Sequence, residues 1–268
     1  KRFVISSTEV CRTLQSLWPM MAISRPPLIA QASASERSVE LIELVMMLLD
    51  YYAATDDETF LGHTLLPIAA EVVTFYDQHY PREQGGRLRI SPAQALETYW
   101  DSVNPAPEVA GLKSVISRLL SLPSNLTTVQ QRDQWVRILK ELPPLPRRQV
   151  NGQSVLGFAE EPGPKHNAEN PELYAVFPFR LYAIGRPDLD LGRRTFEHRV
   201  HRSTGGWQQD AIQAALLGLG DTAAQMVATN FSRKNPECRF PAFWGPNFDW
   251  TPDQDHGCVP MIALQRML

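Results

Sequence analysis

Residues 37–80 read RSVELIELVMMLLDYYAATDDETFLGHTLLPIAAEVVTFYDQHY. Arg37–Tyr52 is strongly apolar at helical spacing, the pattern of a buried helix. Asp56, Asp57 and Glu58 then open a second helix, placing acids at the positive end of its dipole. It extends to about Tyr80, with a kink expected at Pro67, which lacks an N–H. Two helices joined by a tight turn make an antiparallel hairpin, and the pattern recurs downstream. Pro107–Leu122 reads as a third helix, ended by Pro123, and Thr127 or Thr128 caps a fourth that runs to Leu142. Asn170 caps another, with Pro171 at its first position, and Gly185 ends it. Pro187 and Asp188 open the next, through about His201. Trp207–Leu219 and Asp221–Arg233 follow, and a last helix begins near Pro260. The expected fold is all-α, built of helical hairpins in inner and outer layers. The one strand signal is a small hairpin, Gln149–Val155, around an Asn151-Gly152 turn.

The chain has 268 residues, enough for one large domain or two small ones. Its formal net charge is −3, with no basic block or acidic tail. That argues against nucleic acid as a partner. The Arg-rich run Arg193–Arg202 also holds Glu197 and reads as a solvated helix face. No segment is long and apolar enough to span a membrane; Val39–Leu49 is short and broken by Glu40 and Glu43. The first residues run into Ser6, Ser7, Thr8 and Glu9, so they show no apolar core of a signal peptide. Cys11, Cys238 and Cys258 are too few for a disulfide framework and read as reduced thiols. Residues 1–36 match no clear element beyond a helix from Thr8 to Trp18, so the domain is expected over 37–268. Its last residues, Ala263–Leu268, keep a helical pattern with no stop signal, as in a piece of a longer protein.

Three connections between hairpins are long: Pro81–Ala106, Pro143–Glu169 and Lys234–Val259. In a ring of hairpins, connections of one topological type emerge at one end, so the three should share a face. Long loops in a compact domain are usually functional or disordered. Glu97 lies in the first loop near Tyr99 and Trp100. Asp255 lies in the third, with Phe240, Phe243, Trp244, Phe248 and Trp250. Two acids among aromatic rings are what glycoside hydrolysis requires.

Gly85-Gly86-Arg87-Leu88, then Ser91-Pro92 and Glu97, resembles the general-acid loop of glycoside hydrolase family ninety-five, inverting α-L-fucosidases. Leu173–Pro178 is similar to that family's "HLYxLFP" stretch. Gly206-Trp207 with Leu217–Asp221 resembles its "GW…LGDG" hairpin, and Pro252–Gly257 the loop that presents the general base. Order and spacing of all four agree, over roughly Val39 to Leu268. The resemblance implies an (α/α)6 toroid; with nine or ten helices read against about twelve, an incomplete one. It implies an inverting reaction on an oligosaccharide or polysaccharide, with no cofactor, in proteins that are commonly secreted or periplasmic. The chain departs from the pattern where the family has histidines: those places hold Asn167, Glu169, Asn170 and Glu172. The family's upstream water-positioning Asn pair has no counterpart, so the sugar is left open.

The expected acid is Glu97 and the expected base Asp255, with Asp253 its rival two residues away. Their carboxyls should stand roughly 6.5–9.5 Å apart, leaving room for the attacking water. Trp100, Asn170, Glu172, Gln208, Asp210, Trp244, Trp250, Asp253 and His256 are the expected substrate-binding residues. Trp244 and Trp250 read equally as loop packing. Asp253, Asp255 and His256 as metal ligands would be too local a set, lacking a fourth partner, so no metal is expected. The rival function is a non-catalytic carbohydrate-binding or scaffold fragment.

Overall fold

The computed structural model describes residues 38–204, 207–232 and 255–268. The first hairpin forms as its apolar spacing dictates. Helix α1 (Ser38–Thr55) buries Val39, Ile42, Val45, Met46 and Leu49, one stripe at three- and four-residue steps. A short turn, Glu58–Phe60, is capped by Asp57, whose carboxylate accepts from the Phe60 N–H at 2.9 Å. It passes through a π-helical stretch, Leu61–Leu65, into α2 (Leu66–His79). Pro67 has no N–H to give His63, and widening the preceding turn accommodates the lost bond. Helix α3 (Ala106–Leu120) packs on α1 through Gly111. A Cβ there would lie 2.7 Å from both Ile42 and Phe179, so the crossing leaves no room for a side chain. Helix α4 (Val129–Glu141) starts with a reciprocal capping box between Thr128 and Gln131 and buries Trp135 and Ile138.

The first two long connections are not irregular. Strands β1 (Ala93–Ala95), β2 (Tyr99–Pro105) and β5 (Ala159–Glu161) form a three-stranded antiparallel sheet in the order β1-β2-β5. It joins the first long connection to the second. A second sheet is the hairpin β3 (Arg147–Val150) and β4 (Gln153–Leu156). Asn151 (φ 51°) and Gly152 (φ 77°) make its two-residue turn, both left-handed as the tight hairpin geometry demands. The fold is therefore mixed α/β, and the expectation of an all-α (α/α)6 toroid is wrong. The physical reason is that buried backbone groups in long connections must find partners. Here they find one another: Asn104 N–H donates to Ile90 O at 2.9 Å, and Ala106 N–H to Phe158 O at 2.8 Å.

A second departure lies at Pro171–Ala175, a 3-10 turn rather than the start of a helix reaching Gly185. Pro178 cannot donate to a helical ladder, and Arg180 sits at φ 53°, outside the helical region. The remaining helices are α5 (Leu189–Glu197), α6 (Asp210–Leu216), α7 (Gly220–Ser232) and α8 (Asp255–Met267). The last three pack mutually around Ala211, Ile212, Val227, Val259 and Ala263. The β3–β4 hairpin docks on α5, where Leu156 N–H donates to Thr195 Oγ1 at 3.0 Å. Among the described residues no helix is long and apolar enough to cross a membrane.

Candidate functional site

The β1–β2 turn carries Glu97. Leu96 enters it at φ 57°, and the Trp100 indole N–H folds back to donate to Glu97 O at 3.0 Å. The backbone of the turn and the Thr98 hydroxyl are fastened to the segment before Pro171 by four hydrogen bonds. Trp100 N–H donates to Pro164 O at 3.1 Å, and His166 N–H to Thr98 O at 2.7 Å. Glu169 N–H donates to Thr98 Oγ1 at 3.1 Å, and that hydroxyl donates to Glu169 Oε2 at 2.8 Å. Thr98 is fully buried, so the clamp is dry. His166 stacks on Trp100, with centroids 3.9 Å apart and planes 19° off parallel.

Two cavities of ≈ 670 and ≈ 660 Å³ meet at this clamp, and Glu97, Asn167, Glu169 and Tyr174 line both. One is rich in amides: Asn170, Gln208, Gln209 and Gln213 line it, with Trp207 beside them and Phe177, Val259 and Ile262 as an apolar floor. The other adds Glu40 and Glu43 of α1, with Trp100 and His166. Sizes of this order suit small organic ligands. Neither cavity has a lysine or arginine among its described lining residues.

The acids differ in environment. Glu97 is exposed and accepts from Asn167 Nδ2 at 3.1 Å. Burial pushes the Glu43 carboxyl up to about 7, with the charges of Glu40 and Glu169 adding to it. Burial also raises Glu169, reinforced by the charge of Glu97 and opposed by the Thr98 hydroxyl. Asp210 is buried against Arg199, whose Nε donates to Oδ2 at 2.6 Å; burial lifts its carboxyl and the guanidinium pulls it back. This pair is internally neutral and lies in the wall.

The sequence-derived candidates separate accordingly. Glu97, Trp100, Asn170, Gln208 and Asp210 all line the cleft. Asn170 has its amide spent on the backbone of His201, donating at 2.9 Å and accepting at 3.0 Å, and Gln208 accepts from Ser203 at 2.8 Å. Asp210 is not the exposed ligand group expected, since it is 2% exposed and ion-paired. Glu172 is corrected outright: it is fully buried, lines neither cavity, and has Arg148 at 3.7 Å. Asp255 opens α8, one turn before Cys258, which lines the amide-rich cavity. Trp244, Trp250 and Asp253 lie outside the described residues, as do the side chains of Asp255 and His256, and with them the expected carboxyl separation.

Sequence reasoning missed Glu43, His166, Trp207, Gln209, Gln213 and Tyr174 as cleft residues. Glu43 reads in sequence as one more polar position on an apolar helix. The signal that was present lies in the departures from the resembled pattern: three of the four, Asn167, Glu169 and Asn170, line the cleft, and Glu172 does not.

Gly163 is the steric condition for the clamp. A Cβ there would meet the Trp100 carbonyl oxygen at 1.6 Å. Gly163→Ala should therefore force the segment around it away from β2 and destabilise the fold by about 2–4 kcal/mol, in the range of severe steric substitutions. Urea denaturation checks this, and a variant with the wild-type midpoint would show that the segment relaxes freely.

No protein-family model matches the chain, and no curated protein matches it.

Proposed function

We propose that the chain hydrolyses a glycosidic bond in this cleft with inversion at the anomeric carbon. Glu97 protonates the departing oxygen, and Asp255 activates a water on the opposite face of the sugar. The observation that carries the reading is the place of Glu97, on a clamped turn where two cavities meet. Around it lie an aromatic platform, Trp100 on His166, and amide side chains that can both donate to and accept from hydroxyls. Acid–base hydrolysis of this kind calls for no cofactor. The all-α architecture of the family it resembles is not the one found, so the reading stands on cleft chemistry together with the four ordered motifs. Sugar identity and linkage are open within it.

The test is a panel of aryl glycosides with the full chain, with the first-released anomer followed by proton NMR. Inverted product is expected; retained product would sink the acid–base assignment. The exposure of Glu97 favours a second reading, a glycan-binding module without turnover. Binding on a glycan array with no hydrolysis of any panel member would decide for it.

A further inference from the structure

We infer that the amide-rich cavity contains a built subsite for one uncharged sugar ring, with Gln213 and Gln209 as its hydrogen-bond acceptors, and that it rejects glycans bearing carboxylate or sulfate. The inference rests on the glycan reading above and names the residues and ligand charge that go with it.

Gln213 is a residue of α6, 3% exposed, in the wall of the cavity. Its Oε1 is buried and has no hydrogen-bond partner among the described residues. A buried amide oxygen left unmatched is a standing cost to the fold, and native proteins keep few of them. Gln209 sits one helical turn earlier, since Gln213 N–H donates to Gln209 O at 3.0 Å. Its Nε2 donates to the Tyr174 hydroxyl at 3.5 Å, which fixes the amide, and its Oε1 also lacks a partner among the described residues. Two unmatched acceptors one turn apart, roughly 5–6 Å at Cβ, ask for two donors on one rigid body. Hydroxyls on non-adjacent carbons of a pyranose meet that request. The apolar floor of Phe177, Val259 and Ile262 suits the C–H face of such a ring.

Charge gives the second half. The described walls of this cavity carry Glu97 and Glu169, with Asp210 already matched by Arg199, and no lysine or arginine. An anionic sugar would lose its water there and meet like charge, with no cation among the described lining residues to pair it. A neutral ring loses nothing comparable.

The experiment uses the full chain on an array of neutral hexose, pentose and deoxyhexose oligosaccharides beside glucuronate- and sulfate-bearing ones. Wild type should bind neutral members only. Gln213→Met keeps the volume and deletes the acceptor, so it should weaken neutral binding about tenfold, the worth of one good hydrogen bond. Its free form should melt at or above the wild-type temperature, because the unmatched oxygen is gone. Gln209→Met removes the second acceptor and should weaken neutral binding likewise. A Gln213→Met chain that melts lower would assign the amide to the fold and overturn the proposal. So would equal binding of anionic glycans, or no binding by wild type. Hydrolysis by wild type with both variants unaffected sinks the subsite alone; binding as described without hydrolysis sinks the hydrolase alone.

Discussion

Glu97→Gln should lower turnover of a cleaved glycoside by about a hundred- to ten-thousand-fold, the usual weight of general acid catalysis. Binding should stay within a few-fold of wild type. Glutamine keeps the shape and can still take the Asn167 amide hydrogen bond, but it has no proton to give. Because Glu97 is exposed, stability should move by no more than about 0.5 kcal/mol. The loss should shrink as the leaving group improves, since a nitrophenolate departs with little help and a sugar hydroxyl does not. A plot of kcat/KM against leaving-group pKa reads this directly. A uniform loss would mean that Glu97 positions substrate without protonating it. Undiminished activity, with the loss appearing in Glu43→Gln or Glu169→Gln, would move the donor to a half-buried acid that holds its proton to higher pH.

Thermal stability should be greatest near pH 5 and fall as the pH rises towards 8. Burial pushes Glu108 and Glu172 each up to about 8, and Glu43 to about 7. The unfolded chain releases these protons near 4.5. Between those values the folded state holds protons that the unfolded state has lost, so raising the pH favours unfolding. At about 1.4 kcal/mol for each pKa unit, the two fully buried groups carry on the order of a few kcal/mol each. The acid side has the opposite sign. Asp77 is partly buried, yet Arg137, Gln134 and Arg82 hold it down to about 2. Its contribution is complete above about 4 and is lost as the pH falls through 2. Calorimetry from pH 3 to 9 checks the shape, and Glu108→Gln with Glu172→Gln should flatten the alkaline limb. A melting temperature that rises from pH 5 to 8 would refute the assignment.

The parts legible in sequence are those where local chemistry decides. The α1 stripe, the helical start behind Asp56-Asp57-Glu58, the Thr128 cap and the Asn-Gly turn all lie where local spacing put them. The β1-β2-β5 sheet was hidden because β1 and β5 are three residues each, Ala-Gln-Ala and Ala-Glu-Glu, with no branched or aromatic side chain to mark them. The β2–β5 pairing is a tertiary fact, joining residues more than fifty positions apart in the chain. The helix expected after Asn170 failed because its capping signal is local and the obstacles, Pro178 and Arg180, come later. The cleft was half legible for the same reason. Glu97 stood out in its own segment, whereas Glu43, Glu169 and Gln213 acquire a role only when α1, the clamp and α6 meet.

The fastening of Thr98 to His166 and Glu169 has a mechanical consequence. The Glu97 turn and the segment 163–169 form one stiff jaw, since four hydrogen bonds would have to break together for either to swing alone. Glu97 and Glu169 therefore keep their mutual spacing whatever the cleft admits. Any widening to take in a longer chain must occur at the opposing jaw, where α6, α7 and α8 share a small apolar core of their own. The entropic cost of placing the Glu97 backbone is then met once, during folding, and is not charged again at each encounter with a ligand.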